Sequence, residues 1–137
     1  MSISRNQQHY IIMTVIYDEL TDYAIGEGKT FRDARDLTSE LCGCTYDKVP
    51  QYIKDNISYS INNYGKIREA FAPNLKNWSW DRLPLLTRAV LLMSYAHYNI
   101  EEVDKRVVIN IAVELAKKYI EPKQARFINA ILDETLK

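Results

Sequence analysis

Few side chains in this sequence have the type and spacing that chemistry requires. The two cysteines form one pair, Cys42-Gly43-Cys44, and the two histidines, His9 and His97, stand far from it. A C-x-C pair with distant histidines does not match the spacing of structural zinc ligands. We therefore predict no metal site and interpret the cysteines as small residues that close a helix in a reducing compartment.

The sequence shows no pattern typical of an enzyme. It contains no glycine-rich phosphate loop, nucleophile elbow or metal-binding helix motif. The adjacent carboxylates Glu101 and Glu102 are most simply solvated. The residues therefore predict a protein that binds without catalysis and without a cofactor.

Two asparagines stand among apolar residues near the end of the chain. Asn110 lies between Ile109 and Ile111, and Asn129 lies between Ile128 and Ala130. A buried helical asparagine bonds neighbouring carbonyls or a partner helix and fixes the packing register. We favour that structural role for Asn110, and we weigh a structural and a binding role evenly for Asn129.

Composition and charge indicate one ordinary globular domain in the cytoplasm. Of 137 residues, 47% are hydrophobic and 26% are charged, and the formal net charge is zero. No apolar run approaches the roughly 20 residues that span a bilayer, so we expect no membrane association. Residues 65–92 hold five basic side chains against two acidic ones. A nucleic-acid surface would therefore depend on charges that separate in space.

The apolar spacing predicts an all-α fold with six or seven helices. The first helix covers residues 5–23 and ends at Gly26 and Gly28, and a second follows from Thr30 to about residue 41. Later helices are expected from about residue 47 with Pro50 in the first turn, around 67–71 after a break at Gly65, from a cap at Asp81 to about 98, over 103–119, and from Glu121 and Pro122 onward. Residues 73–80 are the expected hinge.

The C-terminal third carries three consecutive helical runs with a distinctive order. They read Arg88-Ala89-Val90-Leu91-Leu92-Met93, then Val107-Val108-Ile109-Asn110-Ile111-Ala112-Val113-Glu114-Leu115-Ala116-Lys117, then Arg126-Phe127-Ile128-Asn129-Ala130-Ile131-Leu132-Asp133. This series resembles the C-terminal half of the NusB family of transcription antitermination factors. The resemblance implies a single NusB-like helical domain over 1–137, with small helical sub-bundles at about 1–72 and 80–137.

The resemblance also implies a function and candidate residues. A NusB-like factor would bind single-stranded RNA of the boxA type together with a NusE-like ribosomal protein. In the N-terminal helix, where the family is rich in arginine, this sequence has Arg5 and, at a usual arginine position, His9. The other candidate RNA contacts surround the start of the last helix: Lys123, Arg126, Phe127 and Asn129.

Aromatic side chains near these cations would stack unpaired bases. Tyr10 would lie nearby, Phe127 is expected to be partly exposed, and Tyr17 is expected in the core. If the first and last helices pack side by side, Arg5, His9, Lys123 and Arg126 would form one basic patch. The candidate contacts to the protein partner are Asp81, Thr87 and His97.

A second hypothesis belongs to another class of protein. The shortage of arginines in the first helix also fits a divergent NusB-fold module that mediates protein interactions and has lost RNA binding. Such a module would be a possible homodimer, through its N-terminal half. Binding to labelled boxA-type RNA, with and without a NusE-type protein, separates the two hypotheses.

Overall fold

The computed structural model describes residues 3–24 and 31–137, and within them it is built from α-helices and short 3-10 turns. The seven α-helices are α1 (Arg5–Ala24), α2 (Phe31–Cys42), α3 (Gln51–Asn62), α4 (Tyr64–Phe71), α5 (Leu85–Ile100), α6 (Lys105–Tyr119) and α7 (Pro122–Thr135). The all-α prediction is confirmed. The predicted helix end at Gly26 and Gly28 and the predicted cap at Thr30 lie outside the described residues.

Helix α5 is the centre of the core. It contacts α1, α3, α6 and α7, and its residues Ala89, Val90 and Leu91 have no exposed surface. Helices α6 and α7 pack against each other as a hairpin, and α1 packs on α5, α3 and α2. The helices that contact α5 turn an apolar stripe toward it, which is the arrangement that helical hydrophobic spacing produces.

Two predicted helix ends agree with the structure. Gly43 ends α2 with φ of +69°, and the Cys44 N–H donates to the Ser39 carbonyl at 3.2 Å. This left-handed geometry at a helix end is the one that glycine adopts without strain. Helix α7 begins with Pro122 after Glu121, as predicted.

Three predicted boundaries were wrong. Pro50 precedes α3 as its N-cap, because the residues before it form a 3-10 turn, Tyr46–Lys48. Gly65 lies inside α4, and the break comes at Asn63 with φ of −115° and ψ of 23°. Asp81 belongs to a second 3-10 turn and does not cap α5, which starts directly after Pro84.

Residues 72–84 connect the two halves and are docked on the helices. Asn74 Nδ2 donates to Thr135 Oγ1 at 2.9 Å, and Trp80 Nε1 donates to the Tyr64 hydroxyl at 2.8 Å. The division into sub-bundles on either side of this segment stays a prediction. In the described ranges, every helix is too short or too polar to cross a membrane.

Candidate nucleic-acid interface

A cleft of about 570 Å³ separates the start of α1 from the C-terminal half of α6. Its lining from α1 and α6 comprises Asn6, His9, Asn110, Ile111, Glu114, Leu115, Lys117, Lys118 and Tyr119. On α6, Asn110, Glu114, Lys117 and Lys118 occupy positions i, i+4, i+7 and i+8, which share one face of a helix. This face of α6 therefore presents an amide, a carboxylate and two ammonium groups to the cleft.

Both singled-out asparagines are exposed. Asn110 lies on the cleft side of α6, and Asn129 lies on the outer surface of α7. The interpretation of Asn110 as a buried register residue was wrong, because Ile109 is the neighbour that turns into the core, whereas Asn110 is exposed and lines the cleft together with Ile111. The asparagine that is buried is Asn56 on α3, 1% exposed.

His9 forms the inner wall of the cleft and is only 6% exposed. Its Nε2 atom lies 3.1 Å from the Tyr52 hydroxyl oxygen, and its ring centroid lies 6.3 Å from that of His97. Burial, with smaller effects from His97 and Arg5, lowers the pKa of His9 to about 4. The imidazole is therefore neutral near pH 7 and positions its neighbours without supplying a cation.

His97 lies beside His9 at the C-terminal end of α5. It is 5% exposed, and its Nε2 atom is 2.7 Å from Glu101 Oε1. Burial lowers the pKa of His97, although the Glu101 carboxylate acts in the opposite direction. The interpretation of Glu101 as simply solvated was wrong, because its carboxylate pairs with His97, four residues before it on α5.

Arg5 caps this group from the solvent side. Its guanidinium carbon lies 3.8 Å from the centroid of the Tyr52 ring, and its Nη1 atom lies 3.7 Å from Glu101 Oε1. Arg5, His9, Tyr52, His97 and Glu101 thus form one connected set, hereafter the histidine network, that joins α1, α3 and α5. Sequence reasoning missed Tyr52, which lies 43 residues from His9 in the chain.

The free cations of the cleft come from α6. Lys117 and Lys118 are exposed and form no ion pair with a described residue. The Nζ atom of Lys118 lies 5.4 Å from the centroid of the Tyr119 ring. Sequence reasoning missed both lysines, although a lysine pair in the last turn of an amphipathic helix marks a solvated cationic edge.

The four candidates of α7 lie in its first two turns. Lys123 and Arg126 are exposed, again without an ion pair to a described residue, Phe127 is half-buried, and Asn129 is exposed. The main neighbour of α7 is α6, whereas α1 packs on α5, α3 and α2. Lys123 and Arg126 therefore lie at the start of the helix that packs mainly on α6, and they follow Lys117 and Lys118 closely in the chain.

Two tyrosines of α1 are exposed at the surface. Tyr10 is 41% exposed, with its ring centroid 5.1 Å from that of Tyr119, and Tyr17 is 40% exposed. The expectation that Tyr17 belongs to the core was wrong. Positions seven apart return to the same helix face after two turns, so both rings lie on one side of α1.

Only one of the three predicted partner contacts is at the surface. Asp81 is exposed, and its Oδ2 lies 2.8 Å from Arg68 Nη2. Thr87 is completely buried and donates to Gln124 Oε1 at 2.9 Å, which ties α5 to α7. Thr87 and His97 are therefore internal packing residues, and their prediction as surface contacts was wrong.

The part of the chain that the structure describes contains no cluster of metal ligands. In these ranges, no three His, Cys, Asp or Glu side chains are placed to hold a metal ion.

Comparison with known proteins adds an independent line of evidence. The NusB family model matches residues 11–137. The transcription antitermination protein NusB of Clostridium botulinum strain Kyoto is 32% identical over 133 residues, which cover 92% of this chain and 91% of that protein. The protein of the same name from strain Alaska E43 is 40% identical over 87 residues, 63% of this chain and 65% of that protein.

Two solved structures share the fold. T. maritima NusB superposes with a TM-score of 0.77 at 20% identity, covering 99% of this chain and 92% of that chain. A chain from a crystal structure of a plectonemic RNA supercoil superposes with a TM-score of 0.75 at 20% identity, covering 96% of this chain and 92% of that chain. The family match spans nearly the whole chain, and this protein therefore belongs to the NusB family.

Proposed function

We propose that this protein is a transcription antitermination factor that binds single-stranded boxA-type RNA together with a NusE-like ribosomal protein. The observation that carries the proposal is the cleft between α1 and α6, which combines free lysines, amides and aromatic rings. Family membership and the names of the C. botulinum relatives support the transcriptional role.

The cleft offers each type of contact that a single RNA strand uses. Lys117 and Lys118 are placed for phosphates, whose neutralisation drives most of the affinity. The exposed ring of Tyr10 stacks a base, and every base has an aromatic face for such contact. The side-chain amides of Asn6 and Asn110 supply donors and acceptors for base edges.

Charge in the cleft is positive but sparse. Among the lining residues, the negative charge comes from Glu114 and the positive charges come from Lys117 and Lys118. Arg5 is already engaged by Tyr52 and Glu101, and His9 is neutral. We therefore expect Lys123 and Arg126 to extend the phosphate path along α7, and we expect the ribosomal partner to complete the RNA surface.

Replacement of both cleft lysines tests the RNA proposal. Lys117→Ala combined with Lys118→Ala should weaken binding of a labelled boxA-type RNA measured by fluorescence anisotropy. Each lost phosphate contact should also reduce the slope of log K against log salt by about 0.7 for a single strand. The matched control is Lys48→Ala, an exposed lysine of the 3-10 turn 46–48, which removes a charge outside the cleft and should change neither quantity.

Equal affinity and equal salt slope in the wild type and the double variant would contradict the proposed cleft. The titration is repeated with a NusE-like ribosomal protein present, which should increase the RNA affinity. Because Asp81 is the exposed member of the predicted partner contacts, Asp81→Ala should reduce that increase and leave the affinity for RNA alone unchanged.

The engagement of Arg5 also favours one alternative function. Arg5, the cation of the first helix, is occupied within the protein. The same arrangement fits a divergent family member that has lost RNA binding and mediates protein contacts as a homodimer. Absence of RNA binding at low salt with the partner present, together with a dimer in sedimentation equilibrium, would favour that alternative.

A further inference from the structure

Trp78 is the most exposed large apolar side chain of the described residues, at 55%. Two residues further on, Trp80 is 3% exposed and donates its indole N–H to Tyr64. The stacked rings of Trp80 and Phe71, 5.8 Å apart, account for Trp80 as a core residue. Trp78 has no such internal role, and its indole faces a surface cleft.

This second cleft has a volume of about 300 Å³ and two aromatic walls. Trp78 and its neighbours on the connecting segment form one side, and Phe127 with Ile131 of α7 forms the other. Leu75 and Ile131 are 3% and 4% exposed, so the floor is apolar. The volume lies at the small end of ligand sites, which suits one planar group and excludes a helix.

The segment that carries Trp78 is fixed in place. Lys76 adopts a left-handed conformation with φ of 57°, which is uncommon for a residue other than glycine. Its ammonium nitrogen lies 3.8 Å from Glu134 Oε1, and Asn74 is bonded to Thr135 at 2.9 Å. These two contacts dock the segment on α7, and the indole is positioned before any ligand arrives.

We propose that the cleft between Trp78 and Phe127, hereafter the tryptophan cleft, takes one unpaired base of single-stranded RNA. The proposal rests on the proposed function, because it extends the same RNA strand to a second site. The cations Lys123 and Arg126 lie on α7 immediately before Phe127, within about one turn of it. They connect the lysines of the α1–α6 cleft to the tryptophan cleft.

Charge and polarity favour an RNA base over an apolar peptide. The charged lining residues of the cleft are Lys76 and Glu134, which neutralise each other at 3.8 Å. The exposed Lys123 and Arg126, in the turn of α7 before Phe127, add positive charge next to the cleft. Asn77, which is exposed at the rim, offers an amide to a base edge. A polyanion with aromatic bases matches that combination.

Intrinsic fluorescence tests the tryptophan cleft directly, because the two tryptophans differ so strongly in exposure. Titration of the wild type with boxA-type RNA should quench the emission of Trp78 by base stacking. Trp78→Phe leaves Trp80 as the single tryptophan, so with excitation selective for tryptophan the quenching should disappear while a stacking ring remains. Trp78→Ala should weaken RNA binding by roughly 5- to 150-fold, the range for loss of one stacked base.

The salt dependence distinguishes stacking from phosphate contact. Trp78→Ala should leave the slope of log K against log salt unchanged, whereas the Lys117 and Lys118 variants should reduce it. The matched control is Leu41→Ala, which removes an apolar side chain of α2 that is 38% exposed. It should alter neither the affinity nor the quenching.

The outcomes separate this inference from the proposed function. If Trp78→Ala binds RNA as the wild type does while the lysine variants bind weakly, the tryptophan cleft is wrong and the RNA function stands. If the wild type binds no RNA with or without the partner, both the proposed RNA function and the base site in the tryptophan cleft are wrong. If Trp78→Ala weakens only the binding of a NusE-like protein, the cleft serves a protein and the base proposal is overturned.

Discussion

Asn56 connects α3 to α5 inside the core. Its Nδ2 donates to the Met93 carbonyl at 3.0 Å, and the Ser60 hydroxyl donates to its Oδ1 at 3.3 Å. Both Asn56 and Ser60 are 1% exposed. Polar groups at such depth remain compatible with folding because each has a partner. The Ser60 hydroxyl also lies 3.4 Å from the Leu92 carbonyl oxygen, so it keeps an acceptor when Asn56 is removed.

We therefore expect Asn56→Ala to lower the free energy of unfolding by about 1–3 kcal/mol, because the variant loses two buried hydrogen bonds. The matched control is Asn110→Ala, because Asn110 is exposed on α6 and surface substitutions usually stay within about 0.5 kcal/mol. Urea unfolding followed by circular dichroism measures both. Equal losses in the two variants would show that Asn56 does not fix the packing of α3 on α5.

At the scale of the helices, Gly43 and Gly65 should respond to alanine in opposite directions. Gly43 has φ of +69°, so an alanine there would be strained. Gly65 lies within α4, and a Cβ there meets no atom within 4 Å. Gly43→Ala should therefore lower the free energy of unfolding by about 1 kcal/mol, and Gly65→Ala should raise it by about 0.5–1 kcal/mol.

Thermal unfolding of the two variants checks these signs, with each serving as the control for the other. A stabilised Gly43→Ala variant would contradict the left-handed end of α2. A destabilised Gly65→Ala variant would contradict the position of the helix boundary at Asn63.

The helices themselves could be predicted from the sequence, but their exact ends could not. Repeated apolar positions identify α1, α6 and α7 without ambiguity, because a stripe over four turns has no other explanation. Gly65 misled the prediction because a glycine is only weakly unfavourable inside a helix. Pro50 and Asp81 misled it because 3-10 turns precede α3 and α5 and shift the starts of both helices.

The candidate site was predictable only in part, because it depends on which helices pack together. Arg5, Lys123 and Arg126 were placed at the surface correctly. Thr87 and His97 were not, since the packing of α7 and α1 on α5 buries them. Lys117 and Lys118 were missed, because their importance comes from the position of α1 across the cleft and not from their local sequence.

At the scale of the whole molecule, the histidine network joins three helices that are distant in the chain. His9, Tyr52 and His97 lie within ring-contact distance of one another, with centroids 5.3–6.3 Å apart. Arg5 and Glu101 are the charged groups that face them. Two imidazoles at this spacing are tolerated while they are neutral, and their protonation would place two cations beside Arg5 in a buried site.

This arrangement makes stability depend on pH. The pKa of His9 falls from 6.5 to about 4 on folding, and that of His97 also falls, so the unfolded chain binds more protons between these values. The free energy of unfolding is therefore highest above pH 6.5 and decreases as the pH falls toward 4, with a slope for His9 approaching about 1.4 kcal/mol per pH unit.

Urea unfolding across this pH range measures the slope of the free energy of unfolding against pH. His9→Gln should reduce it, whereas an exposed-site control, Lys48→Ala, should keep it. The same slope in the wild type and His9→Gln would show that His9 is not the group that titrates.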